Sequence, residues 1–179
     1  MTSRSEFQGH GAAVLGMTRR SVLAVATVFP LTLWSNQPIA PVNSAQTAIK
    51  TVVDFDGETW AALLKNGPRP AAYVFTTTYC STCPDAFDQL HRFIAKAGQK
   101  VELVAVVMDV PASRALAHVH HFVGATQLYA FEGFAPAIRQ SVDPKWPNVT
   151  PYVVLLGRNG AVQRSIGPPE AAMLKKWLA

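Results

Sequence analysis

The sequence is poor in cysteine: Cys80 and Cys83 are the only two among 179 residues, and they lie two residues apart in the segment YVFTTTYCSTCP. It also has no block of lysine and arginine, and its basic residues are not interleaved with aromatic ones, as they are on nucleic-acid-binding surfaces. No internal repeat or low-complexity tract is present. The formal net charge of +5 is therefore scattered, and we do not expect nucleic acid as a partner.

The apolar run near the N-terminus, residues 21–34, is fourteen residues long and has no charge. A spanning helix needs about 20 apolar residues, so this run is short for a permanent anchor. Arg19-Arg20 precedes it and small and polar residues follow it, which is the layout of an export signal. The arginine pair resembles a twin-arginine signal of the bacterial envelope. An ordinary export signal and an uncleaved anchor are the alternatives for residues 1–44, with cleavage after Ser44 or Ala45.

The remaining residues, 45–179, are enough for one domain with its own core. Apolar periodicity predicts strands at 48–55, 71–78, 101–110, 125–131, 151–157 and 161–167, and helices at 58–67, 81–97, 112–124, 134–142 and 169–179. The run 101–110 does not alternate, which is typical of a strand with parallel neighbours and both faces covered. Asn159-Gly160 predicts a type I′ hairpin at the end of the chain. The fold class is α/β, with a central mixed sheet and helices on both faces.

The cysteine pair follows the predicted strand 71–78 and begins the helix 81–97, whose apolar residues recur every three or four positions. Two such thiols could form a structural disulfide, bind a metal or act as a redox pair. At a helix start the unpaired amides and the helix dipole favour a thiolate, which lowers a cysteine pKa from about 8.5 to between ~3.5 and ~7.5. Cys80 at the exposed helix tip is then the nucleophile, and Cys83 one turn on is the resolving thiol.

A strand that ends in Tyr79-Cys80-Ser81-Thr82-Cys83-Pro84 and continues into an amphipathic helix resembles the thioredoxin superfamily. The sequence Val149-Thr150-Pro151, followed by an apolar strand and a hairpin, resembles the family's cis-proline segment. The resemblance is strongest to the TlpA-like and redoxin-like envelope branch. It implies a thioredoxin-like fold and a redox disulfide between the catalytic residues Cys80 and Cys83. It also implies that Tyr79, Thr150 and Pro151 bind the partner chain.

Three positions depart from the pattern of the family, and the first is Tyr79, where thioredoxins usually have tryptophan. Many thioredoxins have a buried aspartate six residues before the first cysteine, where this chain has Val74. TlpA-like proteins tend to have a glutamate six residues after it, where this chain has Ala86, next to Asp85. The sequence therefore assigns no general base to the exchange reaction.

By this resemblance we expect a monomeric thiol-disulfide oxidoreductase of the periplasm. It needs no cofactor because the electrons reside in the two sulfurs, and it touches the membrane only through its signal or anchor. Its partners would be cysteine-containing envelope proteins and a membrane electron donor or acceptor.

Three alternatives remain open for the cysteine pair. One is a fixed disulfide, and another is a catalytically silent thioredoxin-like binding domain. The third is a Sco-type copper chaperone, which would need a histidine near Pro151, whereas no histidine follows His121. The HVHH segment places His118 and His121 one turn apart, where they could share an ion, but a solvated helix face is the favoured interpretation because no acidic or thiol residue joins them at ligand spacing.

Overall fold

The computed structural model describes residues 49–179, so the predicted export signal and its cleavage region lie outside the described residues. The strands are β1 Val52–Asp54, β2 Ala71–Thr76, β3 Glu102–Val107, β4 Gln127–Ala130, β5 Tyr152–Leu156 and β6 Val162–Ile166. The helices are α1 Thr59–Asn66, α2 Cys83–Ala97, α3 Ala112–Ala115, a 3-10 helix Leu116–His121, α4 Pro136–Val142 and α5 Ala171–Leu178. Among the described helices, none is both long and apolar enough to cross a bilayer.

The six strands form one mixed sheet in the order β1-β4-β3-β2-β5-β6. The first four strands in this order, β1, β4, β3 and β2, run parallel to one another, and β5 runs antiparallel to both β2 and β6. The apolar run of β3 lies between two parallel partners, as its lack of alternation predicted. One edge is formed by β1, which has only three residues, and the other by β6.

Each face of the sheet packs against its own helices. On one face, side chains of α2, α3 and α5 pack on alternate residues of β2, β3 and β5. On the other face, α1 and α4 cover the remaining residues, with Trp60 and Phe55 among the largest side chains that are fully buried. The order of strands, their directions and the two helical layers are those of a thioredoxin-like fold, so the predicted fold class is confirmed.

The segment predicted as one helix at 112–124 is instead a single turn of α-helix followed by a 3-10 helix. A 3-10 helix has three residues per turn, so the predicted 3.6-residue spacing places the wrong side chains inward. Ala115 and Phe122 are buried, whereas Leu116 and Val123, which the spacing placed inside, are exposed.

The β5–β6 hairpin is present, but its turn is not of type I′. The amide of Gly160 donates to the carbonyl of Gly157 at 3.0 Å, and Gly160 alone in this turn has positive φ, at 80°. Type I′ needs positive φ at both central residues, and Asn159 does not have it. The connection therefore has three residues and ends in a left-handed glycine, which is the common longer form of a hairpin loop.

Candidate functional site: a disulfide at the start of a helix

Two successive turns carry the chain from the end of β2 into α2. The amide of Cys80 donates to the carbonyl of Thr77 at 3.4 Å, and the amide of Cys83 donates to the carbonyl of Cys80 at the same distance. This path brings the two cysteine Cα atoms within 5.5 Å, and their sulfurs are joined by a disulfide with an S–S distance of 1.96 Å. The spacing of two residues is thus used to close a bond across the start of a helix.

The two sulfurs of this disulfide have different environments. Cys83 is the first residue of α2 and is 2% exposed, whereas Cys80 lies in the preceding turn and is half-buried. The prediction that the helix begins at Ser81 was therefore two residues early, and Cys80 precedes the helix. Pro84 falls in the first turn, where its missing N–H leaves no intrahelical bond unmade.

The segment Thr150-Pro151 lies beside the end of β2. Phe75 of β2 pairs with Tyr152 of β5, so Pro151 adjoins Thr76, four residues before Cys80. The Thr150–Pro151 peptide bond is cis, and the Pro151 carbonyl accepts a hydrogen bond of 2.8 Å from Gly167. Sheet pairing therefore places this segment and the disulfide at the same end of the central strands.

Two neighbouring cavities adjoin this end of the sheet and share Thr77 and Tyr79 in their walls. The first, which we call the dithiol cavity, has a volume of about 240 Å³. Its walls are Thr76, Thr77, Thr78, Tyr79, Cys80, Ser81, Cys83, Pro84, His121 and Phe122. The second, the aromatic cavity, has a volume of about 320 Å³. Its walls are Thr77, Tyr79, Met108, Phe134, Arg139, Trp146, Asn148 and Thr150.

Tyr79 lies between the cavities with 71% of its surface exposed, and its ring meets that of Phe134 edge to face at 6.5 Å. Phe134 and Asn148 have positive φ, at 55° and 59°, and both line the aromatic cavity. Such backbone conformations are uncommon for residues with a side chain and concentrate at functional sites. The backbone at Phe134 and Asn148 is thus held in an uncommon conformation in the wall of the aromatic cavity.

Four aromatic residues of the segment 131–152 divide between the core and the cavity. Phe131 and Tyr152 are buried, while Phe134 and Trp146 line the aromatic cavity. Trp146 nevertheless stacks on Tyr152, with 4.2 Å between the ring centroids. The cavity wall therefore rests directly on the aromatic core.

Two carboxylates fix the chain on either side of the site. Asp109, which follows β3, accepts hydrogen bonds from the amide and the hydroxyl of Thr78, two residues before Cys80. Asp143 accepts a hydrogen bond from the Tyr152 hydroxyl and lies 3.5 Å from the Arg164 guanidinium. Burial raises the pKa of Asp143, but the bonds from Tyr152 and the Lys145 amide, with the charge of Arg164, outweigh it and lower the pKa below its ordinary value. Burial and Asp143 raise the pKa of the Tyr152 phenol.

The histidines of the HVHH segment lie close together. The ring centroids of His120 and His121 are 3.9 Å apart, and those of His118 and His121 are 6.3 Å apart. Across residues 49–179, no group of three or more histidine, cysteine, aspartate or glutamate side chains is arranged to hold a metal ion.

Several residues of the site were not identified from the sequence, among them Thr77, Asp109 and His121. Thr77 and His121 line the dithiol cavity, and Asp109 holds the loop that leads to Cys80. Asp109 lies near the end of the predicted strand 101–110, which neighbours β2, so its position at the same end of the sheet could have identified it. No comparable signal existed for His121, because it reaches the cavity from a helix whose type was predicted wrongly.

The chain is similar to several solved structures, although no family model matches it and the curated proteins give no significant match. A thiol-disulfide oxidoreductase from Bacteroides fragilis is 17% identical, over 62% of this chain and 82% of that one, with a TM-score of 0.47. A secreted disulfide oxidoreductase of Mycobacterium tuberculosis, homologous to E. coli DsbE, is also 17% identical, over 60% and 76%, with a TM-score of 0.42. StoA from Bacillus subtilis is 23% identical, over 61% and 81%, with a TM-score of 0.40.

At these sequence identities and TM-scores, the solved structures show only what the chain is similar to. The fold is established by the chain's own strand order and pairing. Residues 49–179 form a thioredoxin-like domain in which a Cys-x-x-Cys disulfide lies where a central strand passes into a helix.

Proposed function

We propose that this protein is a thiol-disulfide oxidoreductase that exchanges electrons with cysteine pairs of partner proteins. One observation supports this more than any other: the disulfide at the start of α2 joins Cys80, which is only half-buried, to Cys83, which is buried. A partner's thiolate can reach Cys80, and the buried Cys83 then leaves next to the first-turn amides and the positive end of the helix dipole. A disulfide that only stabilised the fold would gain little from such a short loop.

The reaction begins when a partner thiolate attacks the Cys80 sulfur. The Cys80–Cys83 bond breaks, Cys83 leaves as a thiolate, and a mixed disulfide joins Cys80 to the partner. A second partner thiolate then attacks the partner sulfur of this bond. The partner leaves with a new disulfide, and this chain holds the two electrons in its two thiols. The reverse sequence reduces a partner's disulfide.

In this proposal Tyr79, Thr150 and Pro151 bind the partner chain beside Cys80. Tyr79 and Thr150 lie in the wall of the aromatic cavity, and Pro151 precedes a strand that pairs with β2. The partner residues next to the attacked cysteine would contact this wall. Its mixture of Tyr79, Phe134 and Trp146 with Arg139 suits an apolar or aromatic side chain.

The cellular setting is proposed from the sequence. Residues 1–44 would act as an export signal or an uncleaved anchor, and residues 45–179 would work in the periplasm on cysteine-containing envelope proteins. A membrane electron donor or acceptor would restore the dithiol or the disulfide. The reduction potential would assign the direction, since a value near −270 mV is typical of a reductant and one near about −120 mV of an oxidant.

The proposal is tested by insulin reduction with dithiothreitol, using the wild type, Cys80→Ser and Cys83→Ser. The wild type should accelerate precipitation of the insulin B chain, and Cys80→Ser should abolish the acceleration, because it removes the attacking sulfur. Cys83→Ser should instead accumulate mixed disulfides on Cys80, visible on a non-reducing gel and absent after reduction. Ser81→Ala is the matched control. Absence of turnover by the wild type together with absence of trapped partners would contradict the proposal.

A further inference from the structure

The exchange reaction requires a proton acceptor that the family pattern does not supply in this chain. Cys83 must lose its proton before it can attack a mixed disulfide on Cys80, because the thiolate and not the thiol is the nucleophile. Val74 and Ala86, which occupy the two positions where relatives of this fold place a carboxylate, are fully buried and apolar. The proton must therefore pass to another group near the sulfurs.

The walls of the dithiol cavity contain few groups that can titrate. Apart from the two cysteines they are Tyr79 and His121. A tyrosine phenol has an ordinary pKa of about 10, so it is protonated at neutral pH and cannot accept a proton there. A histidine has an ordinary pKa of about 6.5 and is suited to accept and return one.

His121 lies in the wall of the dithiol cavity, and the residue that follows it fixes its position there. It is the last residue of the 3-10 helix, and Phe122 packs on Phe87 of α2 with 5.2 Å between ring centroids. Because α2 begins at Cys83, this contact fixes the end of the 3-10 helix against the helix that carries the resolving cysteine. The His121 side chain itself is exposed, so water can exchange protons with it.

The surroundings of His121 favour its neutral form. Burial, followed by the neighbouring charges of His120 and His118, lowers the pKa of His121 below its ordinary value. His91 of α2 lies close to Gly124, three residues further along the chain, and adds no negative charge. The dithiol cavity has no carboxylate in its walls. At neutral pH the imidazole therefore has a free nitrogen that can accept a proton.

We propose that His121 is the proton-transfer residue for the Cys83 sulfur, an inference that rests on the proposed function. When Cys80 is joined to a partner, the Cys83 S–H proton passes to the unprotonated nitrogen of His121, directly or through one water. The Cys83 thiolate attacks the Cys80 sulfur, the Cys80–Cys83 bond forms, and the partner leaves as a thiolate with the bonding electron pair. In the reverse direction the imidazolium returns the proton to the Cys83 thiolate as it leaves.

Stopped-flow reaction of the reduced full-length chain with Ellman's reagent separates the two steps. Attack by Cys80 releases the first thionitrobenzoate, and attack by Cys83 on the resulting mixed disulfide releases the second. His121→Gln should leave the first step unchanged within about twofold and slow the second at least 10-fold at pH 7, in line with the usual contribution of a general base. The deficit should shrink as pH rises, because hydroxide then deprotonates Cys83 in the variant as well.

His120→Gln is the matched control, since its side chain is exposed on the same helix and does not line the cavity. It should change the second step by no more than about twofold. His121→Ala with added imidazole supplies a second test, because free imidazole should restore part of the second step if the side chain carries a proton, and should have no effect if it only supports the fold.

If the second step has the same rate in His121→Gln and His120→Gln from pH 5.5 to 9, the role of His121 is overturned. Insulin reduction by the wild type, measured in parallel, reports separately on the proposed function. Turnover of insulin with no dependence on His121 would remove only the proton-transfer role. A slow second step in His121→Gln, rescued by imidazole, is the result that supports it.

Discussion

At the scale of single residues, Thr77 is the most unusual side chain of the site. It is 5% exposed, and its hydroxyl has no hydrogen-bond partner among the described residues. A buried polar group without a partner lowers stability by about 1–3 kcal/mol. Thr77 nevertheless lines both cavities beside the disulfide, so the fold retains a destabilising group where partner chains would bind.

Replacing Thr77 by valine should therefore stabilise the protein. Valine has nearly the same shape and removes the unpaired hydroxyl, so we expect the free energy of unfolding to rise by about 1 kcal/mol in urea titrations. Thr76→Val is the control, because the Thr76 hydroxyl donates to the Thr77 carbonyl at 3.3 Å and its loss should give no gain. A Thr77→Val variant less stable than the wild type would show that the hydroxyl has a partner in solution.

Some residues of the site could be predicted from the sequence and others could not. The difference depends on how far apart in the sequence the contacting residues are. Cys80 and Cys83 are close in sequence, so their spacing showed that they act together, although it left a disulfide and a metal site as alternatives. Thr150 and Pro151 could be predicted only through the resemblance, because seventy residues separate them from Cys80. The roles given to these residues stay predictions. His121 was considered only as a possible metal ligand, since nothing in the local sequence shows that a 3-10 helix places it in the wall of the dithiol cavity.

At the scale of elements, the 3-10 helix depends on a glycine at its junction with β4. Gly124 has φ of 79°, and a Cβ there would lie 2.2 Å from the His91 ring and 2.7 Å from the His91 Cβ. Rotation of His91 could move the ring but not its Cβ. This close approach holds the end of the 3-10 helix, and with it His121, against α2.

Alanine at position 124 should destabilise the protein more than alanine at position 133. Gly133 has a similar φ of 73° but no atom within 4 Å of an added Cβ, so Gly133→Ala incurs only the left-handed conformation, about 1–2 kcal/mol. Gly124→Ala adds a collision with His91, and we expect a further loss of about 1–3 kcal/mol. Chemical denaturation of the two variants side by side measures the difference. Equal losses would show that α2 and the 3-10 helix separate easily.

Most elements could be predicted because their apolar runs are long and have one period. The buried runs of β2, β3 and β5 gave strands, and the amphipathic pattern of α2 gave a helix. The 3-10 helix could not be predicted, since its apolar residues fit a 3.6-residue period that the chain does not adopt. The hairpin was predicted from Asn159-Gly160, but its loop length depends on the pairing of Gly157 with Ala161, which the dipeptide does not specify.

At the scale of the whole molecule, Asp143 links the end of α4 to β5 and β6 through Tyr152 and Arg164. Its pKa is lowered in the folded protein, so the folded state binds this proton less readily than the unfolded chain. The carboxylate therefore contributes stability at pH values above its ordinary pKa of about 3.9, and that contribution is lost as pH falls through the lower folded value.

Asp143→Asn should lower the free energy of unfolding by about 1 kcal/mol at pH 7, because it removes a charged hydrogen-bond acceptor. The deficit should narrow as pH falls from about 5 to 2, since the wild type loses the same interaction on protonation. Urea unfolding at several pH values measures both. Asp54→Asn, at an exposed position on β1, is the control and should show no such convergence. A deficit that stays constant over this range would contradict a charge-dependent role for Asp143.

The shortness of β1 has a consequence for how the sheet meets other polypeptide chains. Incompletely folded chains carry unpaired backbone groups and adhere to any long, open border of a sheet. Here one edge strand, β1, has only the three residues Val52–Asp54, and the other edge strand, β6, carries the polar residues Gln163 and Arg164. Few positions are thus left for an incoming polypeptide to add itself as a seventh strand.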